Sequence, residues 1–148
     1  GVLKHVMDGR NKKYFINYDS NSAKAMVASA EISRAAAVLE KNFILKKLSN
    51  EVGFGGSVVL LFGSYAKGTQ NESSDIDILI VGRNRKLEGE LEKFGNVYRK
   101  AVHVVTLSED DIISDEKREF VREIVKSHVV LNGAEIFVRI IRRIKDEG

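Results

Sequence analysis

Leu60 to Val81 reads LLFGSYAKGTQNESSDIDILIV, in which Gly63-Ser64 is followed after ten residues by Asp75-Ile76-Asp77. Two apolar runs of strand length flank the pair, Ser57 to Phe62 before it and Ile76 to Val81 after it. Strand positions i and i+2 share a face, so Asp75 and Asp77 are expected to project together, within about 7 Å of each other. Like charges that close repel, and a hard divalent ion such as Mg²⁺ relieves the repulsion by taking carboxylate oxygens and completing its shell with water and phosphate. Gly63 allows a backbone geometry closed to other residues and a close approach of phosphate. Ser64 offers a hydroxyl and starts a short helix, Tyr65 to Lys67, whose unpaired backbone amides suit an anion. The stretch predicts a phosphate cradle facing a metal site.

With these residues in view, the chain resembles the DNA polymerase beta-type nucleotidyltransferases, and most closely the minimal nucleotidyltransferases. Their signature is a strand, Gly-Ser, ten residues, then Asp-x-Asp on the next strand; here that is Gly63, Ser64, Asp75 and Asp77. Ala66, Gly68, Thr69, Ser73 and Ser74 match the family's usual filling. The resemblance implies an α/β fold, a small mixed β-sheet flanked by helices. It implies binding of a nucleoside triphosphate, ATP foremost, with Mg²⁺ or Mn²⁺, and transfer of a nucleoside monophosphate to an acceptor hydroxyl. Asp75 and Asp77 would hold the metal. Gly63, Ser64, Lys67 and Ser74 would meet the nucleotide, and Tyr65 would either stack on a base or pack. The acceptor or a partner would have to complete the site, and a small helical partner protein of the kind paired with minimal nucleotidyltransferases is one such partner.

The resemblance also implies a third carboxylate on a neighbouring strand, and the sequence departs from it there. The expected strand, Tyr98 to Leu107, carries His103 at that position and no acid. Three readings stay open: a two-carboxylate site, an acid displaced to Glu109, Asp110 or Asp111, or a domain that binds nucleotide without turnover. Histidine itself serves as a general base near neutral pH or as a ligand for softer metals.

The opening VLKHVMDGRNKKYFINY, Val2 to Tyr18, alternates on both sides of Gly9 and predicts a β-hairpin. It resembles the wing of a winged-helix DNA-binding domain, with Arg10, Lys12 and Lys13 at a basic tip suited to DNA phosphates. A hairpin alone is marginal in water, so it needs the main domain, a second subunit or further chain to pack on. A winged-helix regulator with a nucleotide-sensing or inactive dimerising domain is therefore the alternative function.

Ser22 to Leu48 predicts one long helix with Ile32, Ala36, Leu39 and Phe43 on its buried face. Helices follow at Leu87 to Phe94 and at Asp115 to Lys126, the latter with Phe120, Val121, Ile124 and Val125 inward. A terminal helix buries Phe137, Ile140, Ile141 and Ile144 and carries Arg139, Arg142 and Arg143 on its other face. The division expected is a wing-like hairpin over 1–20, a connecting helix over 21–50 and a nucleotidyltransferase domain over 51–148.

Composition limits the rest. The 148 residues suffice for one core with a small appendage. A formal charge of +3, from 24 basic and 21 acidic residues, is too balanced to argue for nucleic acid by itself. Cysteine is absent, which removes disulfides and thiolate metal sites and suits a cytoplasmic setting. No apolar run reaches the length of a membrane span.

Overall fold

The apolar runs on either side of Gly63 are neighbouring antiparallel strands, β3 (Val58–Phe62) and β4 (Ile76–Val81), in a computed structural model that describes residues 1–146. A mixed sheet grows from them in the order β5-β4-β3-β6. Strand β5 (Val102–Leu107) adds in parallel to β4, and β6 (Val129–Asn132) adds antiparallel to the other edge of β3. β3 and β4 are nearly continuous in apolar residues because both faces of the sheet are covered. Val59, Leu61, Ile76, Ile78 and Ile80 pack on α2 (Phe43–Glu51) and α4 (Arg85–Tyr98). Val58, Leu60, Leu79 and Leu107 turn to the opposite face, under α5 (Glu109–Ile113), α6 (Arg118–Lys126) and α7 (Ala134–Asp146). This is the small mixed sheet flanked by helices that the sequence predicted.

The expected helix over Ser22 to Leu48 is two helices, α1 (Asn21–Lys41) and α2. Asn42 breaks it with an extended backbone (φ −129°, ψ 106°), and its side-chain oxygen accepts a hydrogen bond from the Leu45 amide. Asparagine is a strong N-cap, and here that preference overrides the apolar periodicity. The buried face of α1 also differs from the one expected. Ala23, Ala28 and Ala35 are inside, while Ile32 is 58% and Phe43 74% exposed. Alanines let α1 lie close over β6 and α7, where larger side chains would hold it off.

Two boundaries move for similar local reasons. The strand expected from Tyr98 begins only at Val102, since α4 continues to Tyr98 and is stopped by Arg99 in the left-handed region (φ 50°). The turn closes tightly over Gly95, where a Cβ would lie 2.7 Å from the Lys100 carbonyl oxygen. The helix expected from Asp115 starts at Arg118, and a separate short helix, α5, precedes it. Of the side chains expected inward on α6, Val121 and Ile124 are buried, whereas Phe120 is partly exposed against the ring of Phe62. On α7, Phe137, Ile140 and Ile141 are buried. Its arginines do not form a free basic stripe: Arg142 pairs with Asp19 at 2.6 Å and Arg143 with Glu109 at 3.0 Å.

The opening residues form the expected hairpin, β1 (Leu3–Asp8) and β2 (Asn11–Ile16), turning at Gly9-Arg10 with Gly9 at φ +60°. Asp8 lies opposite Asn11 and Leu3 opposite Ile16. All twelve strand residues are exposed, and the hairpin forms a two-stranded sheet of its own.

Candidate active site

One row of side chains crosses the sheet where its helical cover runs out. Phe62 on β3 is opposite Asp77 on β4, and Asp77 is opposite His103 on β5. The next row inward is Leu60, Leu79 and Val105, followed by Val58, Val81 and Leu107, all packed among the α5, α6 and α7 side chains. Asp77 is thus the first polar position on an otherwise apolar face. The alternation of β4 explains this, since Ile76 and Ile78, fully buried, point to the other side.

Asp77 is held from two directions. Nδ1 of His103 lies 3.2 Å from its Oδ1. A carboxylate only accepts hydrogen bonds, so in this contact the Nδ1 nitrogen is the donor. On the other side is Gly63, in the left-handed region at φ +69°, where a Cβ would fall 2.1 Å from Asp77 Oδ2. Glycine is required here by its backbone angle and by the close approach of the Asp77 carboxylate. Asp77 is half-buried and Asp75, just ahead of the strand, is exposed; Asp75 has no hydrogen bond or ion pair among the described residues.

Gly63 opens the short helix α3 (Gly63–Lys67), two residues earlier than expected. Its N-cap position is Phe62, which supplies no side-chain hydrogen bond to the first turn. The Ser64 hydroxyl has no partner among the described residues, while the Ser64 carbonyl accepts from Thr69 and closes the helix at Gly68. Tyr65 is buried beneath Lys100, whose Nζ is 5.2 Å from the ring centroid and donates to the Glu72 carbonyl at 3.0 Å. Tyr65 therefore packs, which resolves the choice between stacking on a base and packing. Lys67 is exposed and makes no hydrogen bond or ion pair among the described residues, although its charge acts on Glu123. The Ser74 hydroxyl accepts from the Asn71 amide at 2.9 Å and so braces the loop before Asp75.

The displaced-acid reading loses its candidates. Asp111 forms a capping box with Ser108, accepting from the Ser108 amide at 2.8 Å and hydroxyl at 2.7 Å. Those bonds, the backbone one first, hold its carboxyl below the ordinary carboxylate value. Glu109 is paired with Arg143, and Asp110 lies 3.9 Å from the same guanidinium. All three follow the far end of β5, six or more residues after His103, and the four strand steps from His103 to Leu107 alone span about 13 Å. Phe62 and Lys100 are the residues the sequence reading missed. Phe62 is legible as the last strand position before Gly63, whereas nothing local marks Lys100 as the brace of Tyr65 and the Glu72 loop.

No group of three or more His, Cys, Asp or Glu able to hold a metal is present among the described residues. The donors here are two carboxylates with an imidazole turned onto one of them. Two carboxylate donors, one of them free of any protein partner, fit a hard ion that takes the remainder of its shell from water and phosphate. They do not make a closed all-protein cage.

Comparison with known proteins bears on the same segment. A family model described as nucleotidyltransferase domain matches residues 43–145. A Methanocaldococcus jannaschii protein named "Putative protein adenylyltransferase" is 41% identical over 81 residues, 53% of this chain and 57% of that protein. This chain thus spans a little over half the length of that relative. Among solved structures, a toxin-antitoxin with AMP-PNP is 23% identical over 70% of this chain and 85% of that one, with a TM-score of 0.43. A mutant of the toxin-antitoxin MntA-HpeT is 23% identical over the same shares, with a TM-score of 0.45.

Proposed function

The chain belongs to the nucleotidyltransferase domain family, and from that premise we propose that it transfers adenylate from ATP to a hydroxyl on a partner protein. The single observation that carries the reading is the environment of Asp77, wedged between the bare Cα of Gly63 and the ring of His103. A purely structural carboxylate on that face gains nothing from a missing side chain at position 63 or from a row left open to solvent. The name of the archaeal relative supports adenylate as the group transferred and protein as the acceptor.

In this reading Asp75 and Asp77 hold a Mg²⁺ or Mn²⁺ ion, which when bound neutralises charge on the triphosphate and on the departing pyrophosphate. Gly63, Ser64 and the first amides of α3 receive phosphate oxygens, and Lys67 adds a point charge from the edge. The acceptor hydroxyl oxygen attacks the α-phosphorus, the bond to the β-phosphate oxygen breaks, and pyrophosphate leaves. His103 takes the hydroxyl proton on Nε2, while Asp77 keeps the ring oriented through Nδ1. Histidine thereby fills the role that the resemblance assigns to a third carboxylate. A small helical protein, the partner that the family resemblance implies, is the acceptor class proposed. No helix among the described residues is long and apolar enough to cross a membrane, and a cytoplasmic setting is part of the proposal.

Two measurements test this. Calorimetry is expected to show ATP binding that requires Mg²⁺, abolished by Asp75→Asn with Asp77→Asn; equal binding with and without the ion sinks the metal site. Transfer of labelled adenylate to a co-purifying partner is expected to fall at least about 100-fold in His103→Ala. His103→Asp, which returns an acid to the position, is expected to retain part of the activity. Brisk transfer by both variants removes His103 from the mechanism.

The exposed hairpin favours a second reading, phosphate contact with DNA. Arg10 and Lys12 stand at its tip, although Lys13 is already paired with Asp8. Duplex DNA binding by this chain is then weak and steeply salt-dependent. Tight sequence-specific binding would place the DNA surface elsewhere.

A further inference from the structure

Eleven large apolar side chains are exposed among the described residues, and six of them belong to the hairpin: Leu3, Val6, Met7, Tyr14, Phe15 and Ile16. The hairpin is tied to the body through the Lys4–Asp19 pair at 2.6 Å, and Asp19 in turn holds Arg142 on α7. Both of its faces are open to solvent. A two-stranded ribbon in that condition is at best marginally stable in water, whereas three or more strands with an apolar face are not.

The free backbone groups of its edges follow from the register. The Asn17 amide donates to the Val2 carbonyl at 2.8 Å, directly continuing the Leu3–Ile16 pairing. Alternation then sends the backbone groups of Lys4, Val6 and Asp8 inward to β2 and leaves those of Leu3, His5 and Met7 pointing out from β1. On β2 the outward set is Lys12, Tyr14 and Ile16.

We propose that β1 pairs antiparallel with β1 of a second copy of this chain about a twofold axis at Val6, giving a four-stranded sheet. The charge pattern of the strand carries the inference. With Val6 on the axis, Lys4 of each copy stands opposite Asp8 of the other, at a non-hydrogen-bonded position where facing side chains come closest. His5 and Met7 exchange backbone hydrogen bonds, using the outward groups that β2 leaves free. Met7 of the second copy then joins the His5–Tyr14 ring pair, whose centroids are 5.8 Å apart, and extends the apolar strip of Leu3 and Ile16 across the dimer. The β2 edge offers no such match. An axis at Lys13 sets lysine against lysine, one at Tyr14 sets Lys12 against Ile16, and edge lysines resist added strands. The proposal rests on the hairpin alone and is independent of the active-site reading.

Sedimentation velocity over about 1 to 100 μM, the range in which a moderate dimer dissociates, is the test. The parent chain is expected to dimerise. Lys4→Glu and Asp8→Lys each place like charges opposite one another twice and are expected to weaken self-association at least about tenfold. The double variant restores opposite charges and is expected to dimerise like the parent, and an equimolar mixture of the two single variants is expected to form mixed dimers. Rescue in these two arms separates pairing between copies from damage to the hairpin, because the double variant loses the internal Lys4–Asp19 and Lys13–Asp8 pairs as well. A parent chain that stays monomeric throughout, single variants that dimerise unchanged, or a double variant no better than the singles would each overturn the proposal.

Discussion

At Gly63 the demands of backbone and site coincide, so one methyl group separates them from those of stability. Gly63→Ala imposes a left-handed angle worth about 1–2 kcal/mol on a residue with a Cβ and drives that Cβ into Asp77 Oδ2. The expected result is a folded protein with a melting point several degrees lower and no detectable nucleotide transfer. Retained transfer would mean that the Asp77 carboxylate has another position to work from. Gly63, Asp77 and their spacing were legible in the sequence because they lie on one continuous strand-turn-strand segment. The contact of His103 with Asp77 was legible through the position of an expected acid. His128 and Glu31 show what was not. They are 97 positions apart, yet His128 Nε2 lies 3.0 Å from Glu31 Oε1, with Nδ1 2.7 Å from the Val125 carbonyl. His128 is buried against Phe137, and Glu31 Oε2 has no partner among the described residues. His128→Leu leaves the whole Glu31 carboxylate unpaired in the interior and is expected to cost about 1–3 kcal/mol in urea unfolding. Glu31→Leu with His128→Leu is expected to recover most of that loss.

Among the elements, Asn42 serves two helices at once, stopping α1 and capping α2. Its amide donates to the Leu39 carbonyl, and its side chain accepts from Leu45. Asn42→Ala is expected to destabilise the chain by about 1 kcal/mol, and Asn42→Asp to be nearly neutral, by thermal melting. Apolar periodicity runs through position 42 unbroken, so the sequence reading took one helix where the cap makes two. The same misreading of polar roles hid α5. Glu109, Asp110 and Asp111 read as candidate acids, and Asp111 is in fact half of a capping box. Because folding lowers its carboxyl below the ordinary 3.8, its contribution is present above that value and disappears as pH falls through the lower folded value. Amide exchange at Ser108 to Ile113 is expected to lose protection in that acid window, and Asp111→Asn to remove the dependence.

The whole molecule was largely readable because its order is local. β3, α3, β4, α4 and β5 follow one another in the chain and sit side by side, so each apolar run predicted a neighbour. The buried side of α1 was not readable, since it depends on β6 and α7 far downstream and is met by alanines rather than by the larger Ile32. That one long-range closure has a consequence for synthesis. The ribosome delivers β3, β4 and β5 well before Val129–Asn132, so the growing chain carries a bare strand, VVLLF, with one flank paired to β4 and the other open to any passing extended segment. Nascent chains crowded on one messenger present many copies of that flank at once, and hydrophobic edges exposed during synthesis recruit chaperones or aggregate. A chain stopped after Ser127 is arrested permanently in this condition. It is expected to partition into the insoluble fraction on expression and to recover solubility when a peptide covering 128–146 is supplied in trans; a soluble truncation would show that α1 alone suffices to shield the edge until the last strand arrives.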